Sequence, residues 1–254
     1  MFFSKKLSSL SDIKHCFFSR KGGVSDGVFS SLNCGLGSSD KKKNILDNLS
    51  IISKKIGVQS EDFFLMNQTH SNKVVTINKE NKNIQIVNSD ALITKLKNIA
   101  ISVLTADCVP ILIYEEVNQI VACIHSGWKG AVTGIIENTF NKIIAMGNNN
   151  KIYVAVGPCI GVNNYEVGED FYYEFIKKSK NNELFFSQGK KGKFFFNLRE
   201  CVNSKIKQFD VKHIENINFD TFSEKKNFFS YRRSKQMGEK DYGRCISTIR
   251  LIDV

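Results

Sequence analysis

Residues 104–130 read LTADCVPILIYEEVNQIVACIHSGWKG. Two apolar runs, Val109 to Tyr114 and Ile120 to Ile124, flank a polar turn, Glu115 to Gln119. Both runs are short, rich in β-branched residues and bounded by polar ones, so they read as a strand, a turn and a strand. Cys108 stands just before the first run and His125 just after the second, followed by Ser-Gly-Trp-Lys-Gly. In an antiparallel hairpin the start of the first strand lies beside the end of the second. Cys108 and His125 are therefore expected as neighbours at one end of a sheet. A soft sulfur beside an imidazole is either a pair of metal ligands or a nucleophile with its base.

The strands continue on both sides of this stretch. Lys14 to Ser19, Phe63 to Met66, Lys73 to Ile77, Ile84 to Val87, residues 90–94 and Ile99 to Leu104 precede it; Lys151 to Val156, Phe194 to Phe196, Val211 to Ile217 and Cys245 to Ile252 follow. Asp40 is positioned to cap a helix running to about Ile56, with Ile45, Leu49, Ile52 and Ile56 on one face and Gly57 as its stop. A second helix is predicted over Ala131 to Met146, stopped by Gly147-Asn148, and a third over Glu169 to Ser179. Asn197-Leu-Arg-Glu200 has the form of a capping box ahead of a fourth, reaching about Phe209. Ser230 to Arg233 reads as a basic loop. Strands and helices mix without strict alternation, which favours an α+β fold with mixed or antiparallel sheets. No internal repeat or low-complexity linker divides the chain, so one catalytic domain is expected over residues 1–254.

Composition narrows the function. The chain has 254 residues, 42% of them hydrophobic, enough for a large core. No run approaches the ~18 apolar residues of a membrane span, and the start lacks the long apolar segment and cleavage site of a signal peptide. The formal charge is +11, but lysine is spread among Asn and Ile with no arginine stripe, so a solvated basic surface is expected rather than a nucleic-acid partner. Seven cysteines, odd in number, scattered and without a CxxC pair, suggest reduced thiols in a cytoplasmic protein. Four histidines exclude several copper centres, since a single blue-copper site already takes two.

The remaining chemistry gathers around a few positions. His70 follows a strand in Asn-Gln-Thr-His; with Cys108 and His125 it would complete a set of three ligands that leaves a fourth position for water or substrate. The metal-free alternative keeps Cys108 as nucleophile and His125 as base. Asp107 points to the opposite face of a regular strand, unless the backbone turns there, and is placed to hold a ligand from behind. Arg20 with the Gly22-Gly23 amides reads equally as an anion-binding loop or a surface turn. Trp128 reads equally as a platform for a base or as core packing. His15 and His213 sit in strand patterns and are read as structural.

The segments SRKGGVSDGVFSSLNCG, NQTH, DALIT, TADCVPILIY, HSGWKG, GPCIG, NLRE, FFSYRR and GRCISTIRL, taken in this order, resemble the laccase-domain purine nucleoside phosphorylases, earlier labelled multicopper polyphenol oxidases. The resemblance spans Phe17 to Leu251. It implies an α/β/β/α layered sandwich, similar to that of cysteine hydrolases, and a zinc ion held by His70, Cys108 and His125, with copper as the alternative metal. It implies phosphorolysis of adenosine, guanosine and methylthioadenosine, and deamination of adenosine. The partners would be a purine nucleoside and phosphate, with no membrane, on a monomer or homodimer. Some relatives are linked instead to amide hydrolysis in cell-wall precursors. Within this framework Arg20, Gly22, Gly23 and the helix start near Gly130 are the candidate phosphate site, and Asn33 and Arg232 candidates for ribose or phosphate. The chain departs from the family pattern in the charged insert SKQMGEKDY, residues 234–242.

Overall fold

A computed structural model describes residues 1–254 except 84–85, 148–150 and 254. In chain order the strands are β1 Ile13–Phe17, β2 Phe63–Asn67, β3 Val74–Ile77, β4 Ile86–Asn88, β5 Ala91–Thr94, β6 Ala100–Thr105, β7 Val109–Glu115, β8 Ile120–Ser126, β9 Ile152–Val156, β10 Glu166–Gly168, β11 Phe186–Gln188, β12 Lys193–Phe196, β13 His213–Asn216 and β14 Cys245–Leu251. The helices are α1 Lys5–Ser8, α2 Lys42–Ile56, α3 Trp128–Thr133, α4 Ile135–Met146, α5 Glu169–Lys178, α6 Leu198–Ile206 and α7 Tyr231–Gln236.

The two main sheets run β1-β14-β6-β2-β4 and β13-β9-β7-β8-β5-β3, with a small third sheet β10-β12-β11. Both main sheets are mixed. β2 is parallel to β4 and β6, β3 to β5 and β9 to β13, while the other pairs are antiparallel. The hairpin read from the sequence forms as β7 and β8, with Val109 opposite Ser126 and Pro110 opposite His125.

Strand alternation explains how the sheets stack. Along β7, Ile111 and Ile113 face one apolar cluster and Leu112 and Tyr114 another; along β8, Ala122 and Ile124 face the first, Val121 and Cys123 the second. A strand sandwiched in this way must be apolar on both faces, and every residue of β7 and β8 is buried. The first cluster also takes Ile135, Ile136, Phe140 and Ile143 of α4 and Leu198, Cys201, Val202 and Ile206 of α6. The second takes Ile101 and Val103 of β6, Phe64 and Met66 of β2, and Ile249 of β14, so it lies between the two sheets. The opposite face of the five-stranded sheet packs Ala100, Leu104, Phe63 and Leu65 against Ile52 and Ile56 of α2. The layers are helix, sheet, sheet, helix, as the resemblance implied.

Local readings differ at four places. The helix expected from Ala131 to Met146 is two helices, broken at Gly134, whose φ of 92° closes α3 and starts α4. That left-handed geometry is cheap only without a Cβ. Asp40 does not cap α2: Lys41 holds that position, and Asp40 instead accepts from Ser25 Oγ and Asn33 Nδ2. Residues 230–233 are not a loop but the cap and first turn of α7, with Ser230 Oγ accepting from the Arg233 N–H. Of the strand expected over residues 84–87, Ile86–Asn88 is present as β4 and residues 84–85 fall outside the described ones, as does Asn148 of the expected Gly147-Asn148 stop. Asn197 caps α6 as expected, its side chain accepting from the Glu200 N–H, but the reciprocal half of the box is replaced: the Asn197 N–H donates to the Phe185 carbonyl.

Candidate active site and metal centre

Strand ends of both sheets converge on one point. Cys108 lies at the entry to β7, His125 near the exit of β8, and His70 on the loop that leaves β2 of the other sheet. One ligand atom from each of the three lies within 4.8 Å of the others. Cys108 Sγ is 3.8 Å from His70 Nε2, and the two imidazole rings meet edge to face at 4.7 Å. His125 is buried, Cys108 half-buried and His70 exposed, so the cluster opens to solvent on the His70 side.

Asp90, which sequence reasoning did not single out, holds the arrangement. It stands just before β5, fully buried. Its Oδ1 accepts from His125 Nδ1 at 2.8 Å and from the His70 N–H at 3.1 Å. Its Oδ2 accepts from the Ser71 N–H at 2.7 Å, Ser71 Oγ at 2.6 Å and the Thr69 N–H at 3.2 Å. One carboxylate thus orients the His125 ring, leaving Nε2 for the cluster, and pins the loop that carries His70. The only hint in the sequence was its place at the head of DALIT, a strand that pairs with the hairpin.

Gly127 was also missed. A Cβ built there would lie 2.9 Å from Cys108 Sγ and 2.9 Å from His70 Cδ2. The missing side chain is the space the sulfur and imidazole use.

The electrostatics follow from this packing. Burial pushes the Cys108 thiol up, but the charge and hydrogen bonding of His125, joined by His70, outweigh it and hold it down at about 6. Burial pushes His125 down, but Cys108 and the Asp90 hydrogen bond raise it to about 9. Burial likewise pushes Asp90 up, and its bonds to His125 and Ser71 hold it at about 2. Each group thus favours the charged form of the other. Two ligands of a tetrahedral zinc ion sit about 3.5 Å apart, close to the sulfur–nitrogen separation here. Two imidazoles, one thiolate and a carboxylate behind one imidazole are a donor set that suits a divalent cation such as zinc.

Asp107 is where the backbone turns. Its φ is 88°, and its buried carboxylate accepts from Thr221 Oγ1, Ser230 Oγ and the Arg232 N–H. It fixes the start of α7 beside Cys108. Burial raises its pKa despite these donors.

Two cavities meet at the cluster, and His70, Cys108, Ala106 and Tyr242 line both. The first, of about 720 Å³, is walled by Trp128, Tyr165, Phe171 and Tyr231, with Arg232 at its side. Trp128 also packs on Phe171 at 4.8 Å, so it is both wall and core. Arg232 donates to the Glu166 carbonyl at 2.8 Å. The second, of about 550 Å³, is walled by Gly35, Gly37, Asn67, Gln68, Asn88 and Arg244.

Other expected site residues lie elsewhere. Arg20 donates to the Ser30 carbonyl at 2.7 Å and stacks on Phe229 at 4.3 Å. The Gly23 N–H is used by Ser31 Oγ, and Gly22 has nothing within 4 Å of its would-be Cβ. None of these three lines either cavity. The stretch expected as a phosphate loop is a turn whose Arg20 side chain and Gly23 N–H are engaged within the chain. Asn33 is fully buried and lines neither cavity; its Oδ1 accepts from the N–H groups of Gly35 and Arg244, two segments that line the second. The helix start expected near Gly130 is at Trp128, with Gly127 as its cap. His15 accepts the Ser4 N–H through Nε2, and His213 is exposed on β13, both apart from the cluster.

Residues 14–252 match the family described as multi-copper polyphenol oxidoreductase laccase. Among curated proteins the chain is 34% identical to a purine nucleoside phosphorylase of Rickettsia conorii, over 82% of this chain and 88% of that one. It is 32% identical to a purine nucleoside phosphorylase of Haemophilus influenzae, over 86% and 88%. Among solved structures it superposes on the Neisseria meningitidis protein NMB0706 with a TM-score of 0.84 at 28% identity, covering 96% of each chain.

Proposed function

This chain belongs to the multi-copper polyphenol oxidoreductase laccase family, and from that footing we propose that it is a zinc-dependent purine nucleoside phosphorylase that also deaminates adenosine. The observation that carries the reading is a His70–Cys108–His125 cluster opening onto a cavity of about 720 Å³ with aromatic walls, within the size range of small-molecule sites. The curated relatives named purine nucleoside phosphorylases support the first activity. Four histidines, two of them in β1 and β13, argue against several copper centres despite the family's label.

When bound, the cation supplies Lewis-acid activation of water or substrate oxygen at neutral pH. The chain's own residues do the rest. Trp128, Tyr165 and Phe171 offer faces on which a purine can lie. Asp90 holds the His125 imidazole in one orientation through Nδ1, and through the same carboxylate fixes the loop that presents His70. Arg232, anchored through its backbone to Asp107, offers donors to the sugar or base. The partners are a purine nucleoside and phosphate, on a monomer or homodimer. Seven free thiols agree with a cytoplasmic setting. No helix among the described residues is long and apolar enough to cross a membrane.

The test is a product assay with adenosine, with and without phosphate. Adenine plus ribose 1-phosphate, formed only with phosphate, and inosine formed with or without it are expected; neither product from a zinc-loaded preparation rejects the proposal. A second reading is favoured by one observation, the depressed thiol beside an imidazole that a carboxylate orients. It makes Cys108 the nucleophile of an amide hydrolase. Turnover that survives chelation but is lost on alkylation of Cys108 selects that reading.

A further inference from the structure

The two cavities that share His70 and Cys108 differ in what lines them. The first carries Trp128, Tyr165, Phe171 and Tyr231, with the acids Glu166 and Asp107 and the bases Lys129 and Arg232 in its wall. Besides the imidazoles of His70 and His125, the second has one ring, Tyr242, and one guanidinium, that of Arg244, and among the described residues no carboxylate lines it. The surroundings of Arg244 look built to present it. Its guanidinium lies over the Tyr242 ring at 4.3 Å and donates to the Tyr242 carbonyl at 3.1 Å. Its N–H is held by buried Asn33. Gly35 supplies the room for its stem, because a Cβ there would lie 2.8 Å from Arg244 Cδ. Among the described residues no carboxylate is within ion-pairing distance of it. The carboxylate that acts on it from its own segment, Asp241, is engaged by the N–H groups of Ser39 and Tyr242.

We propose that the second cavity is the phosphate subsite of the phosphorolytic reaction, with Arg244 as its anion-binding residue and Tyr242 as the partition between phosphate and purine. A fork of guanidinium donors free of protein carboxylates suits a tetrahedral oxyanion. The aromatic cavity, where Asp107 and Glu166 stand beside Lys129 and Arg232 so that opposite charges offset, suits an uncharged base. A ribose spanning the junction puts C1′ between the two. An oxygen of hydrogen phosphate then attacks C1′ as the C1′–N9 bond breaks; its electron pair goes to the purine, which takes the proton that the phosphate gives up. No atom is oxidised or reduced.

This inference rests on the phosphorylase reading, so its test has a part that needs no turnover. Inorganic phosphate is titrated into the zinc-loaded protein by calorimetry, alongside adenosine 5′-monophosphate, in the wild type and in Arg244→Ala. Gly35→Ala, which keeps the charge but presses on its stem, is the second variant if Arg244→Ala folds poorly. Phosphate binding that weakens about ten- to hundredfold in either variant supports the subsite. Kinetically, the KM for phosphate should rise by the same factor while that for adenosine moves less than about twofold. Unchanged phosphate affinity in both variants, loss of phosphate binding in Arg232→Ala instead, or binding of the nucleotide but not of phosphate overturns it. A wild type that binds phosphate through Arg244 yet forms neither adenine nor inosine would sink the phosphorylase reading and leave the anion site standing.

Discussion

At the scale of single residues, Gly127 and His15 show how one position serves chemistry and another stability. Gly127 has an ordinary φ of −76°, so alanine meets no backbone strain there, but its methyl group would press on Cys108 Sγ at 2.9 Å. Gly127→Ala is expected to reduce bound metal well below one ion per chain and to lower turnover on the order of a hundredfold. Metal analysis and a thermal melt with little change would separate this from misfolding. His15 is buried and neutral. Burial lowers its pKa from 6.5 to about 4, with Glu215 opposing. Because the folded value lies below the unfolded one, its contribution is whole above about pH 6.5 and is lost as pH falls toward 4. Between about pH 7.5 and about pH 4.5 the wild type should lose about 2 to 3 kcal/mol more than His15→Gln, which lacks that titration. Parallel urea midpoints for the two proteins would contradict this.

At the scale of elements, the strand ends and the loop after β2 act as one unit through Asp90. Both of its oxygens accept from N–H donors, so an amide nitrogen placed there must face another donor. Asp90→Asn is expected to cost about 2 to 4 kcal/mol and to weaken metal binding about ten- to hundredfold. A competition assay with a chelating dye reads the second, and a denaturation curve the first. The break between α3 and α4 is the other element-level feature. Gly134→Ala puts a Cβ on a φ of 92° and should lose about 1 kcal/mol; Gly134→Asn should lose less, since asparagine tolerates that region better. Equal midpoints for wild type and Gly134→Ala would show the break to be unstrained.

At the scale of the whole molecule, the cluster joins the two sheets. His70 comes from the five-stranded sheet, Cys108 and His125 from the six-stranded one, and the apolar layer between them takes residues from both. The sheets should unfold together, in one transition by fluorescence and circular dichroism. A cation held across them stabilises the fold by mass action, about 4 kcal/mol when its free concentration is a thousandfold above its Kd. Chelation should therefore lower the midpoint of wild type and leave Cys108→Ala nearly unmoved. Two separated transitions, or a chelator without effect on a protein shown to carry metal, would contradict this picture.

The layered fold was legible because each strand carries its own alternation and each helix its own stripe, and both are properties of neighbouring residues. The hairpin from Val109 to Ser126 could be read that way, and with it the closeness of Cys108 and His125. His70 could be offered as a third ligand by its residue type, but it stands 38 positions from Cys108 and no local pattern joined them; the resemblance did. The amino-acid sequence by itself determined most of the strands and helices, though not the short β10 and β11, and the donor types. Tertiary structure alone decided that Asp90 faces His125, that Gly127 clears the sulfur, and that Arg244 rather than Arg20 looks into a cavity. Those choices depend on which loops of two stacked sheets meet at one end, and no local period along the chain encodes that meeting.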